Sequence, residues 1–290
     1  MKSNLDHIPE GSGRPVNTKT VTIAVLLLSI ATILLCVFFL HQGSGRLEAA
    51  PSGKVFCDRM VWQEFGKRGS QITIWKQRGY DVFFFETGMT IDADGSPHAY
   101  HPSNIGIDDN ENGKDEQGNW VGIVLANKKP YIQNSTDPAP GYYVSATSLY
   151  DMTKRRTDPR RYVDSEKIPY IALPRQVMHP DGRCQRDAKA CLGDITIVRN
   201  IENGRYAFAI LADQAPSSGI GEGSIALATA LGIDPDARIG GAKEGIQYLI
   251  FPGTGDEKPK SIEQINDMGK KILERWGGMG KLDACFADQS

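Results

Sequence analysis

The longest unbroken apolar stretch lies near the start of the chain. Residues 21–40, VTIAVLLLSIATILLCVFFL, run for 20 positions without a charge, enough for one helix to cross a bilayer core about 30 Å thick. A secretory signal is the rival reading, but its apolar core usually spans only about 7–15 residues. The cleavage candidates near Ala49 and Ala50 also fall well past the run, and Cys36 follows Leu35 rather than a small residue. The pattern therefore predicts a disordered polar tail over 1–20, a transmembrane anchor over 21–40 and a linker over 41–53. Lys2, Arg14 and Lys19 precede the span, and Arg46, Lys54 and Arg59 follow it. That near balance leaves the span unoriented by the positive-inside rule.

Beyond residue 54 the periodicity changes. Seven short runs rich in β-branched and aromatic residues, bounded by Gly, Pro, Asn or Asp, read as strands: 80–87, 120–126, 142–149, 168–174, 194–200, 205–212 and 246–252. In RYAFAILAD the period of two puts Tyr206, Phe208 and Ile210 on one face, and Ala207, Ala209, Leu211 and Asp213 on the other. Two segments read as helices. SIALATALG (224–232) is small and apolar, with Gly232 as a C-terminal stop. SIEQINDMGKKILERW (261–276) opens with Ser261 and Gln264 at capping-box spacing and keeps Ile262, Ile265, Ile272 and Trp276 on one face. Many strands with few helices predict a β-barrel or sandwich with helical additions, in a single domain over 54–290.

A formal net charge of −2 and no basic stripe give no reason to expect a nucleic-acid partner. Outside the apolar run there are four cysteines, Cys57, Cys184, Cys191 and Cys285. An even count fits two disulfides in an oxidising compartment. Pairing Cys184 with Cys191 and Cys57 with Cys285 would staple one loop and tie the domain's ends; three connectivities are possible, and four reduced thiols are the alternative. Together with the apolar run this predicts a single-pass protein with its large domain outside the cytoplasm, or else a protein secreted after signal cleavage. No C-x-x-C or Cys/His cluster calls for zinc, and no phosphate loop or dinucleotide fingerprint calls for a cofactor.

Residues 212–224, ADQAPSSGIGEGS, hold Asp213 and Glu222 nine positions apart in a stretch otherwise without charge. Glycosidic hydrolysis needs one carboxyl protonated, to donate to the leaving oxygen, and another ionised. A helix starting just after Glu222 would favour it as the ionised base, and a desolvated Asp213 would hold a proton as the acid; the reverse division fits the same spacing. An Asp-closed turn and a helix-capping Glu are the plain structural alternative.

These residues resemble a known family. YAFAILADQAPSSGIGEGSIALATALG, followed by IQYLIFPGTG, is similar to the chitosanases of glycoside hydrolase family 75, with TIDADGSPHAY (90–100) and IPYIALPRQ (168–176) as further similar segments. The likeness spans roughly residues 80–255. It implies that Asp213 and Glu222 are the catalytic pair of an endo-acting, inverting hydrolase of a β-1,4-linked amino-sugar polymer such as chitosan. Typical fungal members look secreted, whereas this chain carries the apolar run. The same stretch resembles, more loosely, the double-psi β-barrels of expansin-like proteins. That implies a six-stranded double-psi barrel-like core, with added strands and a C-terminal helix. It also supplies the competing function, a non-catalytic module that binds wall polysaccharide; hydrolysis of peptidoglycan glycan strands is a further alternative.

Two other acidic stretches bear on the substrate. Asp92 and Asp94 in IDADG are candidate contacts for a sugar amine or a cation, or simply an Asp-Gly turn. DDNENGKDEQGN (108–119) begins like a calcium loop, but Asn119 stands where the closing Glu is required, so no metal is called for. It reads as a solvated loop whose negative potential would attract a cationic polymer.

Overall fold

Closure of a sheet on itself dominates the architecture. The structure, a computed structural model, describes residues 57–67, 70–179, 189–215 and 219–287. The tail, the 21–40 span and the linker lie outside those residues. Among the described residues no helix is long and apolar enough to cross a membrane.

The strands in chain order are β1 (Arg59–Lys67), β2 (Ser70–Gln77), β3 (Phe83–Asp92), β4 (Leu125–Ala126), β5 (Lys129–Pro130), β6 (Tyr170–Pro174), β7 (Ile195–Asn200), β8 (Tyr206–Ala215), β9 (Glu222–Ser224) and β10 (Ala242–Phe251). The helices are α1 (Ile225–Leu231), α2 (Ile262–Trp276) and α3 (Gly278–Ala287). The main sheet runs β1-β2-β3-β10-β7-β8-β6-β9, and β9 also pairs with β3. That second pairing closes six strands into a barrel and leaves β1 and β2 as an added hairpin. Pairing is mixed: β3–β9 and β6–β8 are parallel, the other barrel pairs antiparallel. The expected mainly-β fold, with a six-stranded core, added strands and a C-terminal helix, is what forms.

Alternation sorts the side chains. Ala209 and Leu211 share one buried cluster with Phe85, Met89, Ile171, Val198 and Tyr248, drawn from strands all round the barrel. Ile210 and Ala212 point the other way, into a cluster with Leu149 and with Ile265 of α2. Helix α2 begins at the capping box read from the sequence: the Gln264 amide N–H donates to the Ser261 hydroxyl, and the Ser261 N–H donates back to the Gln264 side chain. Helix α1 is capped by the Ser224 hydroxyl and stops at Gly232, whose φ of 68° is left-handed.

Two expected strands do not form. Residues 120–126 and 142–149 make only the short β4 and isolated bridges such as Ile123–Ser145. Gly122, at φ 62°, turns the first segment in its middle and breaks the ladder. A side chain at Gly122 would also run into the Asp94 carboxyl and the Tyr100 hydroxyl. The two segments instead belong to a long loop region between β3 and β6 that forms one wall of the site.

Cys57 and Cys285 form a disulfide with a Cα–Cα distance of 4.9 Å, joining the start of the described chain to α3. Cys191 is also disulfide-bonded; Cys184 lies outside the described residues. Cys57 and Cys285 are both buried, in a cluster with Trp276, Leu282 and Phe286. Closing a loop with a sequence separation of 228 restrains the unfolded chain strongly. Replacing Cys285 by Ser is expected to lower stability by about 2–5 kcal/mol, read as a lower urea midpoint under non-reducing conditions.

Candidate active site

Ala172, near the end of β6, fixes the geometry. It pairs with Asp213 of β8 on one side and with Glu222 of β9 on the other. Residues in register on neighbouring strands present their side chains on the same face. Asp213, Ala172 and Glu222 therefore form a row, with a methyl group between two carboxyls. Two strand spacings of about 4.8 Å place the two acidic residues about 9.6 Å apart along that row.

Strict alternation along β8 would not achieve this. Pairing with β6 steps from Ile171–Leu211 to Ala172–Asp213, so β8 carries one extra residue there. This bulge moves Asp213 off the face of Leu211 and onto the face of Ala172. The sequence-based expectation that Asp213 shares a face with Ala209 and Leu211 is corrected on this point. On the other side of β9, Thr90 pairs with Glu222 and Asp92 with Ser224, so Asp92 joins the same face. Gly221 makes the approach possible. Its φ is 91°, and a Cβ there would come within 2.6 Å of the Gly88 carbonyl oxygen.

The wall region then meets β8 at the bulge. The Leu149 N–H donates to the Ala212 carbonyl at 2.8 Å. Ser148 gives Asp213 Oδ1 two bonds, from its N–H at 3.0 Å and its hydroxyl at 2.6 Å, and the Gln214 N–H adds a third at 2.7 Å. Asp94 is differently occupied: its Oδ1 accepts from the hydroxyls of Tyr100 and Ser145. Asp92 accepts from the Asp94 N–H, and the Tyr170 hydroxyl lies against it. Among the described residues no hydrogen-bond donor reaches the Glu222 carboxyl.

All four acids singled out in the sequence, Asp92, Asp94, Asp213 and Glu222, thus line one cleft of about 1270 Å³. Asp108, Asp109 and Asp115 from the acidic loop line it too, against two arginines among the described residues, Arg175 and Arg238. The part played by Ser148 and Tyr170 had no spacing signal in the sequence.

Burial first, and crowding of carboxyls after it, set the protonation states. Burial, then the charge of Asp213, pushes Asp92 up to about 7. Burial and a bond with Asp109 push Asp108 up to about 8. Burial raises Asp213 to about 6, and its bonds from Ser148 and Gln214 hold it down against that. Glu222 is held well above the usual carboxylate range by burial, then by Asp92 and Asp213. This direction runs against the expectation that a helix end keeps Glu222 ionised. Helix α1 has seven residues, its Leu227 N–H is taken by Ser224, and acids surround Glu222.

Residues 89–276 match the family described as fungal chitosanase of glycosyl hydrolase group 75. The chain belongs to this chitosanase family. The matched span takes in the whole acidic cleft, from Asp92 to Glu222, and runs on through α2. This group 75 protein is accordingly a chitosanase-like glycoside hydrolase, as the resemblance implied. No curated protein matches the chain.

The raised acids make this chitosanase-like fold sensitive to alkali. Asp92 and Asp108 titrate at about 7 and 8 in the folded chain, against about 3.9 when unfolded. The folded state therefore binds their protons more tightly, and the stability they contribute is full below about pH 4 and lost as pH rises through 7–8. The Tm is expected to fall between about pH 5.5 and 8.5, and Asp108→Asn to flatten that fall in a thermal-melt series.

Proposed function

We propose that the protein is an endo-acting chitosanase that inverts configuration, with Glu222 as general acid and Asp213 as general base. The observation that carries this is the row Asp213–Ala172–Glu222. Inverting glycosidases hold their carboxyls about 6.5–9.5 Å apart so that a water fits behind the sugar, and two strand spacings with only a methyl between them are compatible with that gap. Both acids are raised, and the causes of the two shifts support the division of labour. Glu222, without donors among the described residues and surrounded by acids, keeps its proton; Asp213, with three donors on one oxygen, is the easier of the two to ionise.

Glu222 gives its proton to the glycosidic oxygen as the C1–O bond breaks. Asp213 takes a proton from a water attacking C1 on the opposite face, and the new C1–OH bond forms with inverted configuration. A cleft lined by seven acidic side chains suits a polymer of ammonium-bearing sugars, with Asp92 and Asp94 as amine contacts. No cofactor is required in this reading. The disulfides and the 21–40 apolar run support an extracytoplasmic domain on a single-pass anchor.

Glu222→Gln and Asp213→Asn are each expected to cut kcat on soluble chitosan by about 10²–10⁴, measured by reducing-end release. The first product seen by proton NMR should be the α-anomer. A β-anomer appearing first, or near-wild-type turnover in either variant, would refute the assignment. The acidic limb of kcat/KM is expected near the value of about 6 that Asp213 carries in the free enzyme.

A further inference from the structure

We propose that Ser148 is the positioning residue for Asp213, holding its carboxyl turned and ionised so that Oδ2 faces the water. The inference rests on the reading of Asp213 as base. Its ground is geometric. Three donors converge on one oxygen, Oδ1, and two of them belong to Ser148. A carboxylate with one oxygen saturated in this way has its plane fixed and its second oxygen left over for a proton.

Ser148 is itself held from both sides. The Thr147 hydroxyl donates to the Leu149 carbonyl at 2.7 Å and accepts from the Val163 N–H at 3.0 Å. The Leu149 N–H bonds the carbonyl of Ala212, the residue before Asp213, at 2.8 Å. The wall is thus zipped to β8 at the bulge, and Ser148 is the point where the zip reaches the site. The charged and titratable groups around Asp213 oppose its ionisation more than they aid it. Asp92 and Asp94 approach from the end of β3, Glu222 from β9 and the Tyr170 phenol from β6. Among the described residues the cations lining the cleft are Arg175, just after β6, and Arg238. From the wall, Ser148 brings hydrogen bonds instead of charge, and these favour the carboxylate form.

The test compares Ser148→Ala and Ser148→Thr with the wild type, each checked for an unchanged far-UV spectrum and Tm. Ser148→Ala keeps the N–H donor and loses the hydroxyl. Its Asp213 titration midpoint, followed by carbon-13 NMR of the carboxyl, is expected to rise by about one pH unit. The acidic limb of kcat/KM should move up by the same amount, with kcat down about tenfold and KM little changed. Ser148→Thr, which keeps a hydroxyl, should restore both. An unmoved midpoint in a folded Ser148→Ala, or a Thr variant no better than Ala, overturns the inference. A midpoint that moves while the acidic limb stays put overturns instead the role of Asp213 as base.

Discussion

The barrel closes through the hydrogen bonds that the three residues of β9 make to β3 on one side and β6 on the other. Both ladders are needed. The pairing with β6 puts Glu222 in line with Asp213, and the pairing with β3 brings Asp92 beside it. β9 also hands directly to α1, whose capping residue Ser224 is its last member and whose hydroxyl donates to the Ile168 carbonyl. A strand this short contributes little pairing of its own. Its position is over-determined by the two longer strands it joins and by the helix it starts.

That rigidity matters because the acids would otherwise separate. Carboxyls repel one another, and desolvation adds to the cost of each charge. The fold answers locally and unevenly. Asp94 is bound by two hydroxyls, Asp213 by three donors, and Glu222 by none among the described residues. The unevenness is useful, since a single uniform environment could not hold one carboxyl protonated beside another ionised.

Much of this was legible in the residues. β6, β7, β8 and β10 show as β-branched runs with turn residues at their ends, and both expected helices carry their caps in the sequence. Asp213 and Glu222 stood out because their surroundings are glycine-rich and uncharged. The rest was hidden for physical reasons. Ala212 adds one residue to β8 relative to β6, and a bulge leaves no mark in the alternation of side-chain types; parity therefore assigned Asp213 to the wrong face. The β1–β2 hairpin has a register slip between Val61 and Gln63, which blurs its period. β9 is too short to show any period. The wall segments 120–126 and 142–149 have strand-like composition because they bury Val124 and Val144 in a small cluster with Tyr162, without building a ladder. Ser148 matters only through a contact 65 positions away, which no local pattern reports.

The disulfide between Cys57 and Cys285 has a topological side. It makes a covalent ring of nearly everything described, barrel and wall included. A single backbone cut in an exposed loop would open that ring without dividing it, and the two parts would stay joined and paired across the sheet. Separating them takes a second cut or a reductant. An enzyme built this way can be nicked once by a protease and remain one molecule.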